Sequence, residues 1–232
     1  MQSPKRVYII AELCSNAAPF DDARLEAFCR AAADAGADAV KVQLFLPDHF
    51  PEAEREAKRA VQFPRGTFPE FVAMAHSLGM EAGASVFDPA AVAIAAGGDF
   101  VKLATREETN LGLRFRCREL DIPVLRSVRW PAVSTESRSW LGETTLGCIP
   151  EYPVSDDHSA LISLRGLPDL LSFPYGWSSH TRGWEDVIAA VRAGATVIEK
   201  HLKLSDEDPE AEWSLNPQQF AEMVKQIREA EK

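Results

Sequence analysis

Reactive side chains recur at the C-terminal ends of short apolar runs. Glu12 closes the first, with Asn16 just beyond it, and Lys41 and Gln43 sit in the second. Ser85 ends the third. Lys102 lies in the fourth, followed by Thr105 and Glu107, and Ser127 ends the fifth. Tyr152 follows the sixth. The seventh ends at Ser178-Ser179-His180-Thr181, and the eighth contains Glu199-Lys200-His201. In an extended chain side chains alternate between two faces. Lys41 and Gln43 therefore share one face, opposite Val40, Val42 and Leu44. Lys102 is opposed by Val101 and Leu103, and Glu199 and His201 by Ile198, Lys200 and Leu202. If the apolar faces pack outward, two lysines and a histidine converge inside. Two lysines converging in an acidic protein point to a bound anion, a phosphate or a carboxylate; the competing reading is that each reaches solvent. His180 and His201 end adjacent runs, and two imidazoles with nearby oxygens suit manganese, iron, cobalt or zinc. On spacing alone that signal is weak, and a satisfied structural histidine is the better reading of either one. His49, His76 and His158 read as surface or packing residues.

The elements that must position these groups are legible as a repeated unit of helix, glycine and strand. Gly36, Gly79, Gly97-Gly98 and Gly194 each follow an alanine-rich or amphipathic stretch and precede an apolar run, and glycine after a helix reaches the left-handed conformation without penalty. The strands read as Val7–Leu13, Ala39–Phe45, Glu81–Phe87, Phe100–Ala104, Pro123–Ser127, Thr144–Cys148, Leu171–Phe173 and Thr196–Leu202. Their near-continuous apolar content fits a parallel sheet buried on both faces. Leu25, Phe28, Cys29 and Ala32 form a helical stripe, as do Trp184, Val187, Ile188 and Val191, and Phe220, Met223, Val224 and Ile227. Eight strands alternating with about eight helices predict a compact (β/α)8 barrel, a TIM barrel, with its chemistry at the C-terminal strand ends. The fifth helix is shortened: only Trp130 to Gly142 is available, and Pro131 interrupts its start. An open doubly wound sheet is the alternative, but no G-x-G-x-x-G follows the first strand. No linker divides the chain, so residues 1–232 read as a single domain. The long connection from Pro47 to Gly66 carries a charged, helix-prone stretch, Glu52 to Arg59, expected as a solvated excursion.

Composition narrows the function. The 232 residues carry 25 Lys and Arg against 35 Asp and Glu, a net charge of −10. That balance argues against a broad nucleic-acid or anionic-membrane surface, though not against a small basic pocket. No apolar run approaches a membrane span of roughly 20 residues, and Val7 to Ile10 is too short for a signal peptide. Cys14, Cys29, Cys117 and Cys148 are widely spaced and read as buried small hydrophobes of a reduced, cytoplasmic protein.

With these residues in order, the sequence resembles the N-acetylneuraminate (sialic acid) synthase family. The motifs are Ile9-Ile10-Ala11-Glu12, Ala35-Gly36-Ala37-Asp38-Ala39-Val40-Lys41-Val42-Gln43, Trp177-Ser178-Ser179-His180-Thr181 and Val197-Ile198-Glu199-Lys200-His201, followed by Ser214-Leu215-Asn216-Pro217. The resemblance runs from about Tyr8 to the final helix and matches the barrel domain; the antifreeze-like C-terminal domain of such enzymes has no expected counterpart in the sequence. The resemblance implies metal-dependent condensation of phosphoenolpyruvate with an open-chain aldose, N-acetylmannosamine or a modified acceptor. The products would be a 2-keto-3-deoxy acid of the nonulosonic type and phosphate. It implies a divalent metal, most simply Mn2+ with Mg2+ or Co2+ as substitutes, held by His180 and His201. It places Lys41, Ser85, Lys102, Thr105, Ser127, Tyr152 and Ser178 on phosphoenolpyruvate. Glu12, Gln43 and Glu107 match polar residues around the reacting carbons, with Glu210 a looser match after strand eight. Expected partners are these small molecules and, compatibly, a second copy in a homodimer, with no nucleic acid or membrane.

The departures fall mostly on the sugar side. Asn16-Ala17-Ala18-Pro19 stands where the family has Asn-His-Asn-Gly, Pro150 replaces an asparagine, and Ser179 an aspartate. Arg106 and Arg129 are new cations near the expected mouth, able to read an acidic acceptor, against a reading as ordinary surface charge. Retained phosphoenolpyruvate and metal binding with a changed acceptor is therefore the expectation. The alternatives are a metal-dependent aldolase or lyase on another keto acid, since fold does not fix function, and a non-catalytic binding subunit.

Overall fold

The computed structural model describes residues 6–130, 142–155 and 175–231. Eight parallel strands pair in chain order and close on themselves. They are β1 (Tyr8–Glu12), β2 (Ala39–Leu44), β3 (Glu81–Val86), β4 (Phe100–Leu103), β5 (Val124–Arg129), β6 (Glu143–Cys148), β7 (Tyr175–Ser179) and β8 (Val197–His201). The closing pair is β1 with β8, in which Glu12 stands level with His201. Outside lie α1 (Asp22–Asp34), α2 (Arg55–Ala60), α3 (Phe68–Ser77), α4 (Pro89–Ala95), α5 (Leu111–Arg118), α6 (Glu185–Arg192) and α7 (Pro217–Ala230). This is the TIM barrel the sequence predicts. The seventh strand is Tyr175–Ser179; the run expected at Leu171–Phe173 lies outside the described residues. So do the stretch between Trp130 and Gly142 assigned to a fifth helix, and His158.

The helices form where capping and periodicity agree. Asp21 caps α1 by accepting from the Arg24 amide at 2.8 Å, and Leu25, Phe28, Cys29 and Ala32 bury their stripe. Asn216 and Gln219 cap each other at the start of α7, with Pro217 at its first position. Gly36 and Gly194 take φ of 87° and 98°, as the repeated turn requires. Gly97-Gly98 does not share that reason, because neither has a positive φ. Gly98 is needed for space: a Cβ there would lie 2.8 Å from the Ala82 carbonyl oxygen.

Alternation divides the barrel interior into two layers. The outward faces, with Val40, Val42 and Leu44 on β2, join the helices in the main core. The lower lumen is filled by Ile10, Ala39, Phe100, Leu125, Leu146 and Val197. One turn of the alternation higher, the same strands present Glu12, Lys41, Lys102, Ser127, Cys148 and Glu199. The apolar plug thus seals the bottom and leaves a polar floor facing the open end. Gly83 and Gly176 make the plug fit: a Cβ on Gly83 would run into the Phe100 ring. A Cβ on Gly176 would lie 2.5 Å from the Val197 carbonyl oxygen and 2.9 Å from its Cβ. Gly176→Ala should cost about 1–3 kcal/mol through overpacking and disturb the strand that carries Ser178. Thermal unfolding checks this; an unchanged Tm would show that β7 and β8 have room to part.

Candidate active site

The open end of the barrel holds a cavity of about 660 Å³. Its floor is a lattice of buried ions. The Lys41 ammonium donates to the Glu12 carboxylate, to Ser85 Oγ at 2.7 Å, and stands 3.7 Å from Glu199 Oε2. Lys102 donates to Glu199 Oε1, which also accepts from Ser178 Oγ at 2.9 Å. Lys41, Glu12, Lys102 and Glu199 are each at most 4% exposed. Burial alone would drive Lys41 toward neutrality, but the Glu12 and Glu199 carboxylates outweigh it and hold its pKa above the ordinary lysine value. Glu199 is held well below the carboxylate range: burial opposes ionisation, and Lys102 and Lys41 overcome it.

This corrects one inference from sequence. Two buried lysines need not wait for an external anion, because each has a carboxylate inside the barrel. The reason is the large cost of an unpaired buried charge. The floor still offers donors to a ligand. Ser127 is 1% exposed and its hydroxyl has no partner among the described residues. Thr105 and Gln43 also line the cavity.

Two imidazoles stand on one side. His180, just beyond β7, and His201, ending β8, have ring centroids 5.4 Å apart. Burial, and then the neighbouring His201, push the His180 pKa well below the ordinary histidine value, so it is neutral. Its Nδ1 lies 3.2 Å from the Ile149 carbonyl oxygen, which assigns the proton to Nδ1 and leaves the Nε2 lone pair available. His201 Nδ1 lies 2.9 Å from Glu210 Oε2, on the loop after β8. His180 thus has one nitrogen hydrogen-bonded to a carbonyl oxygen and His201 has a carboxylate oxygen beside one of its nitrogens, the kind of outer partner that orients metal-ligating histidines. Among the described residues no three His, Cys, Asp or Glu side chains gather into a metal cage. The donor set fits an open site, with two imidazoles and the remaining positions left to water and substrate.

The supports explain why these rings are so placed. Asp186, at the start of α6, accepts from Trp177 Nε1 at 2.7 Å, Ser179 Oγ at 3.1 Å and Thr181 Oγ1 at 2.9 Å. Lys200 donates to Ser179 Oγ and to the Thr181 carbonyl from the outer face of β8. Both neighbours of His180 are therefore pinned from behind. Asn16 has a matching role for Glu210. It donates to the Leu202 carbonyl and Ser214 Oγ, and accepts from the Glu210 amide at 2.7 Å.

Most residues singled out from sequence meet in this cavity: Glu12, Lys41, Gln43, Ser85, Lys102, Thr105, Ser127, Tyr152, Ser178, His180, His201 and Glu210. Tyr152 lies over His180, with ring centroids 4.3 Å apart. Glu107 does not line the cavity; it accepts from Asn110 Nδ2 at 2.9 Å near the rim. Sequence reasoning missed the central position of Glu199, although its alternation with His201 carried the signal. It also placed Glu52 to Arg59 wholly in solvent. That excursion instead forms a wall: Phe50, Ala57, Lys58 and Val61 face the cavity. The helix α2 is too short and charged to show an apolar stripe, so no periodic signal was present. All four cysteines are free and buried. Cys29 and Cys117 pack in the core, their pKa pushed up to about 12, by burial first. Cys14 and Cys148 line the cavity, and burial raises both thiols. Their protonated state does not favour nucleophilic use. Cys14 Sγ donates to Glu210 Oε1 at 3.0 Å.

Comparison with known proteins gives a consistent set of similarities. Residues 28–232 match the NeuB family. The chain is 28% identical over 236 residues to an N,N'-diacetyllegionaminic acid synthase of Legionella pneumophila, covering 87% of this chain and 66% of that protein. It is 27% identical over 266 residues to a pseudaminic acid synthase of Campylobacter jejuni, covering 98% of this chain and 74% of that one. The chain thus spans about two thirds of the length of these relatives. Among solved structures, an N-acetylneuraminic acid synthetase from Leptospira borgpetersenii in complex with citrate superposes with a TM-score of 0.87 at 23% identity. That match covers 98% of this chain and 85% of the other. The spore coat polysaccharide biosynthesis protein SpsE of Bacillus subtilis gives 0.77 at 27% identity, covering 97% and 68%.

Proposed function

The chain belongs to the NeuB family, and on that premise we propose that it condenses phosphoenolpyruvate with an open-chain aldose to give a 2-keto-3-deoxy acid and phosphate. The observation that carries the reading is the floor. Lys41, Lys102, Ser85, Ser127 and Ser178 converge at the sealed end of a cavity of about 660 Å³, and the buried Ser127 hydroxyl has no partner among the described residues. These donors suit a small, highly charged molecule with a phosphate and a carboxylate.

The floor fixes both acidic groups, so that carbon three of phosphoenolpyruvate faces the aldehyde carbon. As the new carbon–carbon bond forms, the enol π electrons leave positive charge at carbon two. Glu12 and Glu199, both buried, supply fixed negative charge beside it. Water adds at carbon two, giving up a proton to a carboxylate of the site. The carbon two–oxygen bond to phosphate then breaks, leaving the ketone and inorganic phosphate. A divalent cation, when bound by His180 and His201, would polarise the aldehyde oxygen and stabilise the alkoxide that develops there. Glu210 would hold the His201 ring in place. Manganese is the expected ion, with magnesium or cobalt as substitutes.

Phosphate release from phosphoenolpyruvate is the test, run with manganese against a panel of aldoses that includes N-acetylmannosamine. Release that requires an aldose supports the proposal. Release at the same rate without any aldose would mean simple hydrolysis and would remove the condensation.

A further inference from the structure

The cavity carries more positive charge than its floor uses. Among the described residues five lysine and arginine side chains line it, against three carboxylates, in a chain whose net charge is −10. On the floor Lys41 and Lys102 are neutralised by Glu12 and Glu199. The excess therefore lies at the rim, on Lys58, Arg106 and Arg129. Among the described residues Lys58 and Arg129 form no ion pair, and Arg106 has only a 3.7 Å contact with Glu107.

Two of these cations are held in place. The Arg106 guanidinium lies 4.6 Å from the Phe50 ring centroid and 5.8 Å from that of Phe87, and donates to the His49 carbonyl at 2.7 Å. Stacking on one face and a single backbone bond leave other N–H groups of its fork without an acceptor among the described residues. The Lys58 ammonium lies over the same Phe50 ring at 4.8 Å. Two like charges around one aromatic ring repel each other, and an anion between them would relieve that repulsion. Arg129 lies two residues past Ser127 on the same face of β5, about 7 Å nearer the mouth. Arg129 thus stands above the floor by a distance comparable with the length of an open six-carbon aldose.

We infer that the acceptor is an anionic aldose, bearing a phosphate or carboxylate at the end remote from its aldehyde, which Arg106 and Lys58 hold against Phe50. This rests on the synthase reading: the floor takes phosphoenolpyruvate, the aldehyde faces it, and the acceptor's far end reaches the rim. The excursion between β2 and α3 is then the specificity element, since it supplies both Phe50 and Lys58.

Binding of non-reacting alditols to the full chain saturated with phosphoenolpyruvate and manganese separates the possibilities. Three reduced acceptors are titrated by calorimetry: N-acetylmannosaminitol, its 6-phosphate, and its analogue oxidised to a carboxylate at carbon six. One charged form should bind about tenfold or more tighter than the neutral one, and which one does so tells phosphate from carboxylate. Arg106→Ala and Lys58→Ala should each reduce that preference severalfold, with phosphoenolpyruvate affinity changed less than threefold. Arg106→Lys, which keeps the charge and loses the fork, should fall between. Equal affinity for charged and neutral alditols overturns the inference. So does an equal loss of phosphoenolpyruvate affinity in the rim variants, which would assign the rim to that substrate. Failure of the unsubstituted chain to bind phosphoenolpyruvate at all would remove the synthase reading itself, and this inference with it.

Discussion

Lys102→Ala should reduce phosphoenolpyruvate affinity by about a hundredfold or more, as expected for a lost charge-assisted contact in a buried site. The same substitution should destabilise the fold, because Glu199 would lose its direct ion-pair partner and keep the Ser178 hydroxyl and Lys41 at 3.7 Å. Breaking a buried pair from one side costs about 3–5 kcal/mol. Pairing the change with Glu199→Gln separates the two effects. Lys102→Ala/Glu199→Gln removes both charges, so most of the lost stability should return. Phosphoenolpyruvate binding should not return, since the donor is still missing. Calorimetric titration and thermal unfolding of the four proteins complete the cycle. Affinity restored along with stability would mean that Lys102 serves only the fold.

His180→Ala and His201→Ala should each abolish turnover, by about a thousandfold or more, the scale of removing a Lewis acid worth several kcal/mol. Bound manganese, measured by elemental analysis after gel filtration, should fall in parallel. Phosphoenolpyruvate affinity should change little, because neither imidazole belongs to the lysine floor. Glu210→Gln should weaken metal affinity by about 10–100-fold, the usual cost of losing an outer partner of a histidine ligand. Full activity with no bound metal in either histidine variant would assign the rings a purely structural role.

How much of this was legible beforehand depends on whether a residue's partner is local. The alternation in Ala39-Val40-Lys41-Val42-Gln43-Leu44 turns the polar pair inward without reference to any other segment, and the structure agrees. The helical stripes in α1, α6 and α7 are equally local. The pairing of Lys102 with Glu199 joins residues 97 positions apart, and no single segment contains it. The barrel's interior decides it, through the cost of leaving either charge alone. The seventh strand was misplaced for a related reason. Tyr-Gly-Trp-Ser-Ser is not a continuous apolar run, because Gly176 gives way to its neighbours and Ser178 faces the cavity. A search for apolar runs passes over a strand whose composition is set by the site. Phe50 and Lys58 were invisible because their excursion has no periodicity, and only the closed barrel brings it over the mouth.

The central claim is that the enol carbon of phosphoenolpyruvate forms the new bond while phosphate departs with its bridging oxygen. Phosphoenolpyruvate labelled with 18O in that bridging position, turned over with manganese and an accepted aldose, tests it directly. The label should appear wholly in inorganic phosphate, with the new ketone oxygen drawn from water. Retention of the label in the organic product would mean cleavage at phosphorus, and would contradict the account.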